Sequence, residues 1–121
     1  MKNKIVIVDD EPNIVMTLEY AFRKQGFEVF IARDGGEALE ILEYECPDVV
    51  LLDIMMPKVD GYQTLKWIKN NKSLASTKVV FLTAKNKTTD IEKGISLGVD
   101  KYLTKPFSIK KIVTEIKTLL A

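Results

Sequence analysis

Acidic residues stand where two apolar runs of this chain end: Asp9 and Asp10 follow KIVIV at residues 4–8, and Asp53 closes DVVLLD at 48–53. Thr83 follows KVVFL at 78–82, and Lys105 follows KYLT at 101–104. Two carboxylates about 4 Å apart repel by roughly 4 kcal/mol at an effective dielectric near 20, so three brought together demand a positive partner. Hard carboxylate oxygens with open positions suit Mg²⁺, with Mn²⁺ as the alternative ion, because such a cation keeps several waters and a phosphate in its shell. Lys105 would add a mobile positive charge on the other side. Together these groups could bind a dianionic phosphoryl group and stabilise the charge on its equatorial oxygens during in-line transfer. Asp53 is then the candidate nucleophile, since a carboxylate can form an aspartyl phosphate. Thr83 offers that group a hydroxyl donor.

The elements that must position these residues are legible from periodicity. The five apolar runs, with EVFIA at 28–32 as the second, are strand-like, and helix-length segments separate them. Ile14, Leu18, Ala21 and Phe22 follow helical spacing, as do Ile109, Ile112, Val113, Ile116, Leu119 and Leu120. Weaker helical faces come from Ala38, Ile41 and Leu42, from Gly61, Leu65 and Ile68, and from Ile91 and Ile95. Gly26 and Gly98 sit where helix C-terminal glycines belong. Five strand–helix units imply an α/β fold with a parallel sheet covered on both faces, because parallel strands need crossovers. In the doubly wound, flavodoxin-like order 2-1-3-4-5, strands 1 and 3 are neighbours and their acids converge at the carboxyl ends, where such folds gather function.

Composition narrows the classes. At 121 residues and 46% hydrophobic content, the chain is expected to form one domain over 1–121, without an internal linker or repeat. A net charge of +1 gives no global basic field, so this chain alone is not expected to bind nucleic acid. The apolar start is too short for a signal sequence or a membrane span, which points to a cytoplasmic protein. One cysteine, Cys46, and no histidine make a zinc site untenable. Cys46 is expected to be a small buried hydrophobe, Met56 a core gap-filler, and Trp67 a partly exposed helix residue.

VIVDDEP at 6–12, LLDIMMPKVDG at 51–61, LTA at 82–84 and YLTKPF at 102–107 together resemble the receiver domains of two-component response regulators, over essentially the whole chain. The resemblance implies that Asp53 takes a phosphoryl group from a sensor histidine kinase or phosphotransfer protein. It implies Mg²⁺ held by Asp9, Asp10 and Asp53 with the Met55 carbonyl, and a coupled Thr83–Tyr102 switch that reshapes the surface of helix 4, strand 5 and helix 5. It further implies a cis Lys105–Pro106 bond, and side chains at Met55 and Lys85 that tune water attack on the acyl phosphate, here toward slow self-dephosphorylation. The chain would be a phosphoacceptor rather than an enzyme, acting on an unknown downstream output protein or domain. A phosphorylation-dependent homodimer through helix 4, strand 5 and helix 5 stays open, but Lys101 stands where relatives carry an acid and weakens it. A reversed Lys101–Glu115 pair is the alternative.

Bland readings compete at each position taken singly. Asp9, Asp10 and Glu11 ahead of Pro12 could simply cap helix 1, and Asp53 could cap a turn. Thr83, Tyr102 and Lys105 could be an ordinary strand-end hydroxyl, a packing ring and a surface lysine. Two rival functions share the fold or the chemistry. A flavin-binding electron carrier would need a neutral phosphate loop where this chain has Asp-Asp-Glu, and a small aspartyl-phosphate hydrolase would be expected to carry a D-x-D motif.

Overall fold

The computed structural model describes residues 2–55, 60–84, 87–105 and 107–121. Five strands alternate with five helices among them. β1 (Lys4–Val8) leads to α1 (Pro12–Lys24), and β2 (Glu28–Ala32) to α2 (Gly35–Tyr44). β3 (Val49–Leu52) leads to α3 (Gly61–Lys69), which a 3-10 turn at Lys72–Leu74 follows. β4 (Lys78–Thr83) leads to α4 (Thr88–Ser96), and β5 (Lys101–Thr104) to α5 (Ile109–Leu120). All neighbouring strands pair in parallel in the expected order β2-β1-β3-β4-β5.

Successive strand side chains point to opposite faces, and both faces are covered. Val6, Val8, Val50, Leu52, Val79 and Phe81 pack with Ala38, Leu42, Leu65 and Ile68 of α2 and α3. Ile5, Ile7, Val49, Leu51, Val80 and Leu82 pack with Leu18, Phe22, Ile112 and Ile116 of α1 and α5. Each of these large side chains contributes about 1.5–3 kcal/mol on burial, so the sheet is anchored from both sides. Local chemistry sets the helix ends. Pro12 opens α1, Asp34 caps α2, Ser108 caps α5, and Asp60 with Gln63 forms a reciprocal capping box on α3. Gly26 and Gly98 take φ of 90° and 95°, the left-handed region that ends α1 and α4.

Two packing expectations fail. Ile95 is 62% exposed, although its spacing from Ile91 suggested a core face. The rings of Phe81 and Tyr102 fill the space beneath α4. They approach within 3.2–3.3 Å of where a Gly94 Cβ would lie, so the helix turns Gly94 inward and Ile95 outward. Cys46 is exposed rather than buried, because it sits in the connection between α2 and β3 and not on an inward face. Trp67 is partly buried against the α2–α3 side of the core, as expected. Met56 lies outside the described residues.

Candidate functional site

Parallel pairing sets Val8 beside Leu52, and the ladder runs one residue beyond both strands. The Asp53 N–H donates to the Val8 carbonyl at 3.0 Å, and the Asp9 N–H donates to the Ala32 carbonyl at 3.1 Å. The acids of β1 and β3 are therefore placed by backbone hydrogen bonds. Asp9 and Asp53 are buried and Asp10 is exposed. Oxygens of the three carboxylates all lie within 4.8 Å of one another. α3 tucks under the loop after β3, with the Gly61 N–H donating to the Ile54 carbonyl at 3.0 Å. A Cβ at Gly61 would fall 2.6 Å from Ile54 Cα and 2.7 Å from the Asp53 carbonyl oxygen, so only glycine allows this approach.

Each buried acid divides its oxygens the same way. Oδ1 of Asp9 accepts from the Glu11 N–H at 3.0 Å, and Oδ1 of Asp53 accepts from the Met55 N–H at 3.1 Å. These are the local turns that the capping reading anticipated. Both Oδ2 atoms instead face Lys105, whose Nζ donates at 3.1 Å to Asp9 and 3.3 Å to Asp53. Lys105 is itself placed by the sheet, since its N–H donates to the Thr83 carbonyl at 2.8 Å. A third acceptor, Glu11 Oε1, stands 3.0 Å from Nζ.

Three carboxylates thus meet one ammonium, with Asp10 as a fourth acid beside Asp9 and Asp53. Burial pushes the Asp9 carboxyl above the usual carboxylate range, and the Asp53 charge adds to this against the lowering effects of the Glu11 N–H and Lys105. Burial disfavours the Lys105 charge, but the hydrogen bond to Glu11, the Asp53 charge and Asp9 outweigh it and raise its pKa. The surplus negative charge, carried entirely on hard oxygens, fits a small divalent cation held by Asp9, Asp10 and Asp53. Such an arrangement can bind a phosphoryl group against a carboxylate nucleophile.

A family model described as the response regulator receiver domain matches residues 5–117. The chain belongs to that family. This receiver is 41% identical over 120 residues to the alkaline phosphatase synthesis transcriptional regulatory protein PhoP of Bacillus subtilis (strain 168). The match covers 99% of this chain and 49% of PhoP, so the receiver spans about half the length of that curated relative. Among solved structures it is similar to the BeF3-activated DrrB receiver domain, with TM-score 0.90 and 32% identity over 99% of this chain and 98% of that one. DrrB is a Thermotoga maritima OmpR/PhoB homologue. The chemotaxis response regulator CheY4 of Vibrio cholerae aligns with TM-score 0.92 and 25% identity, covering 98% of this chain and 99% of that one.

Thr83 and Tyr102, also singled out from the sequence, lie on the neighbouring strands β4 and β5. Thr83 is fully buried at the end of β4, opposite Thr104 of β5. Phe81 lies opposite Tyr102 in the same ladder, and their rings meet edge to face at 5.7 Å. Tyr62 of α3 extends the stack, meeting Phe81 at 5.8 Å. Burial, then the nearby Tyr62, Asp90 and Asp53, push the Tyr102 phenol up to about 12. Lys101 and Glu115 pair within the chain, at 2.7 Å, and the Lys101 hydrogen bond lowers the Glu115 pKa. Met55, next to the Asp53 turn, exposes 59% of its surface at the pocket mouth. Lys85 and Pro106, hence the cis-bond expectation, lie outside the described residues. Sequence reasoning passed over Glu11, read only as a helix cap, and the Tyr62–Phe81 contact. The Asp-Asp-Glu string was the available signal for Glu11, while no local pattern marks the ring stack.

Against a flavin carrier, the loop after β1 offers carboxylates where a bound phosphate would need donors. Among the described residues no helix is long and apolar enough to cross a membrane.

Proposed function

We propose that this receiver is switched by phosphorylation of Asp53, with residues 1–121 acting as one domain. A phosphohistidine on a sensor histidine kinase or phosphotransfer protein is the donor. This chain has no histidine of its own. An Asp53 carboxylate oxygen attacks phosphorus, the O–P bond forms as the P–N bond breaks, and the electron pair returns to the imidazole nitrogen. The observation that carries the reading is the pair of buried acids, Asp9 and Asp53, held side by side by ladder hydrogen bonds with Lys105 Nζ bridging their Oδ2 atoms.

Asp9, Asp10 and Asp53, with the Met55 carbonyl, would hold Mg²⁺, which when bound offsets the charge of acids and phosphoryl oxygens. Asp9 and Asp10 would supply the metal's acidic ligands from the end of β1, beside Asp53. Lys105 donates to the transferred phosphoryl oxygens. The Thr83 hydroxyl moves toward the new acceptors, and the space behind it admits the Tyr102 ring, which alters the α4–β5–α5 surface. Moving such a two-state equilibrium from 1:99 to 99:1 takes about 5.5 kcal/mol, within reach of several charge-assisted hydrogen bonds. The altered surface would be read by an output protein or domain, in the cytoplasm, and not through nucleic-acid contact by this chain alone.

The test is incubation with Mg²⁺ and a small acyl or amido phosphate, followed by intact mass. The parent should gain one phosphoryl group, and Asp53→Ala or chelation of the metal should abolish the gain. Equal labelling of Asp53→Ala would refute the assignment.

A further inference from the structure

Lys105 makes its shortest contact outside the acid triad. Nζ lies 3.0 Å from Glu11 Oε1, against 3.1 Å to Asp9 and 3.3 Å to Asp53. The Glu11 side chain is 58% exposed and that of Lys105 is 13% exposed, so Glu11 reaches inward from the pocket mouth. Glu11 is also the N-cap residue of α1, yet its side chain makes no cap hydrogen bond to that helix. Its carboxylate is committed to Lys105 instead.

We propose that Glu11 is a positioning residue for phosphoryl capture: it holds the Lys105 ammonium in the resting pocket and competes for it with the incoming phosphoryl group. The inference rests on the reading of Asp53 as the phosphoacceptor. An ammonium has three donors, and Lys105 already directs them at three carboxylates. A phosphoryl group on Asp53 takes over that acid's contact and adds acceptor oxygens carrying about −1.5 to −2 charges, so Lys105 must release a second partner to serve more than one of them. Asp9 is buried and would gain no water on losing this contact, whereas Glu11 is open to solvent and exchanges its contact for hydration. Glu11 is therefore the group displaced. Its carboxylate then becomes available at the N-terminus of α1, where unpaired backbone N–H groups favour negative charge.

Two variants separate contact from charge. Glu11→Gln keeps the reach and removes the charge. Glu11→Asp keeps a charge at the mouth but is one methylene too short to reach Nζ. Two readouts are needed: the rate of phosphorylation by phosphoramidate in saturating Mg²⁺ as a function of donor concentration, and reductive methylation of Lys105 in unphosphorylated protein. The second is mapped by peptide mass spectrometry with Lys101 as internal reference. Loss of the competing contact should raise the maximal phosphorylation rate about 3- to 5-fold in both variants, the range available to an ion pair with one exposed partner. Lys105 methylation should rise in both as well. An Asp variant that behaves as the parent would show that only mouth charge matters and would overturn the proposal, as would two variants indistinguishable from the parent. Should the parent itself take no phosphoryl group, the phosphoacceptor reading fails and the competition with it. Lys105 methylation would still decide separately whether Glu11 holds the lysine.

Discussion

Asp9 bears the electrostatic strain of the pocket. A carboxyl whose folded pKa is raised by burial binds its proton more readily in the folded state. Its contribution to stability therefore falls as pH rises from about 3.9 through the folded value, and stays low at neutral pH. Asp9→Asn removes that charge. In chelator at pH 7 its melting temperature should exceed the parent's by about 3–6 °C, the scale of ~1 kcal/mol in a domain this long, with a smaller gain at pH 4. The same variant should lose most of the stabilisation that added Mg²⁺ gives the parent, as ligand linkage requires. A lower melting temperature for Asp9→Asn in chelator would count against the charge argument. Cys46 gives a simpler check at this scale. Because it is exposed, a thiol reagent should label it in the native protein at nearly the rate seen in urea, where a buried thiol would wait on unfolding.

At the scale of elements, the decisive contact is between the start of α3 and the loop after β3. Gly61 packs against the Asp53 carbonyl oxygen and Ile54 Cα, both backbone atoms that cannot swing aside. Gly61→Ala must therefore displace either α3 or the Asp53 turn. It should lower stability by about 1–3 kcal/mol or more, the range for overpacking, and slow Asp53 phosphorylation at the same time. A variant of parental stability and rate would mean that the loop adjusts freely. Further along the same face of the sheet, Gly94 lets α4 ride close over Phe81 and Tyr102. The spacing of Ile91 and Ile95 predicted an apolar face because periodicity records only which residues share a side. The rings beneath α4 set its rotation, and they come from β4 and β5.

The whole molecule is one sheet with a core on each face, and its strands contribute alternate residues to both. Loosening one face should therefore weaken the other. Trp67 packs on the α2–α3 side, and Ile116 is fully buried on the α1–α5 side. Ile116→Ala should cost about 2–5 kcal/mol. Urea transitions followed by Trp67 fluorescence and by far-ultraviolet circular dichroism should shift together to lower midpoints. Two separated transitions would reveal independent layers. The active pocket depends on this unity, because the acids hang from β1 and β3 while Lys105 hangs from β5, and only the intact sheet aligns their ends.

Reading the residues in order was enough to place the five strands, their parallel pairing through the strand–helix alternation, and Asp9, Asp10, Asp53, Thr83 and Lys105 at strand ends. Apolar runs and turn residues are local signals, and a parallel sheet converts strand ends into neighbours without further information. The tertiary structure alone decided that Lys105 divides itself among Asp9, Asp53 and Glu11, that Tyr62, Phe81 and Tyr102 stack, and that Ile95 and Cys46 face outward. Each of these depends on the distance and rotation between elements far apart in the chain, which no spacing within one element encodes.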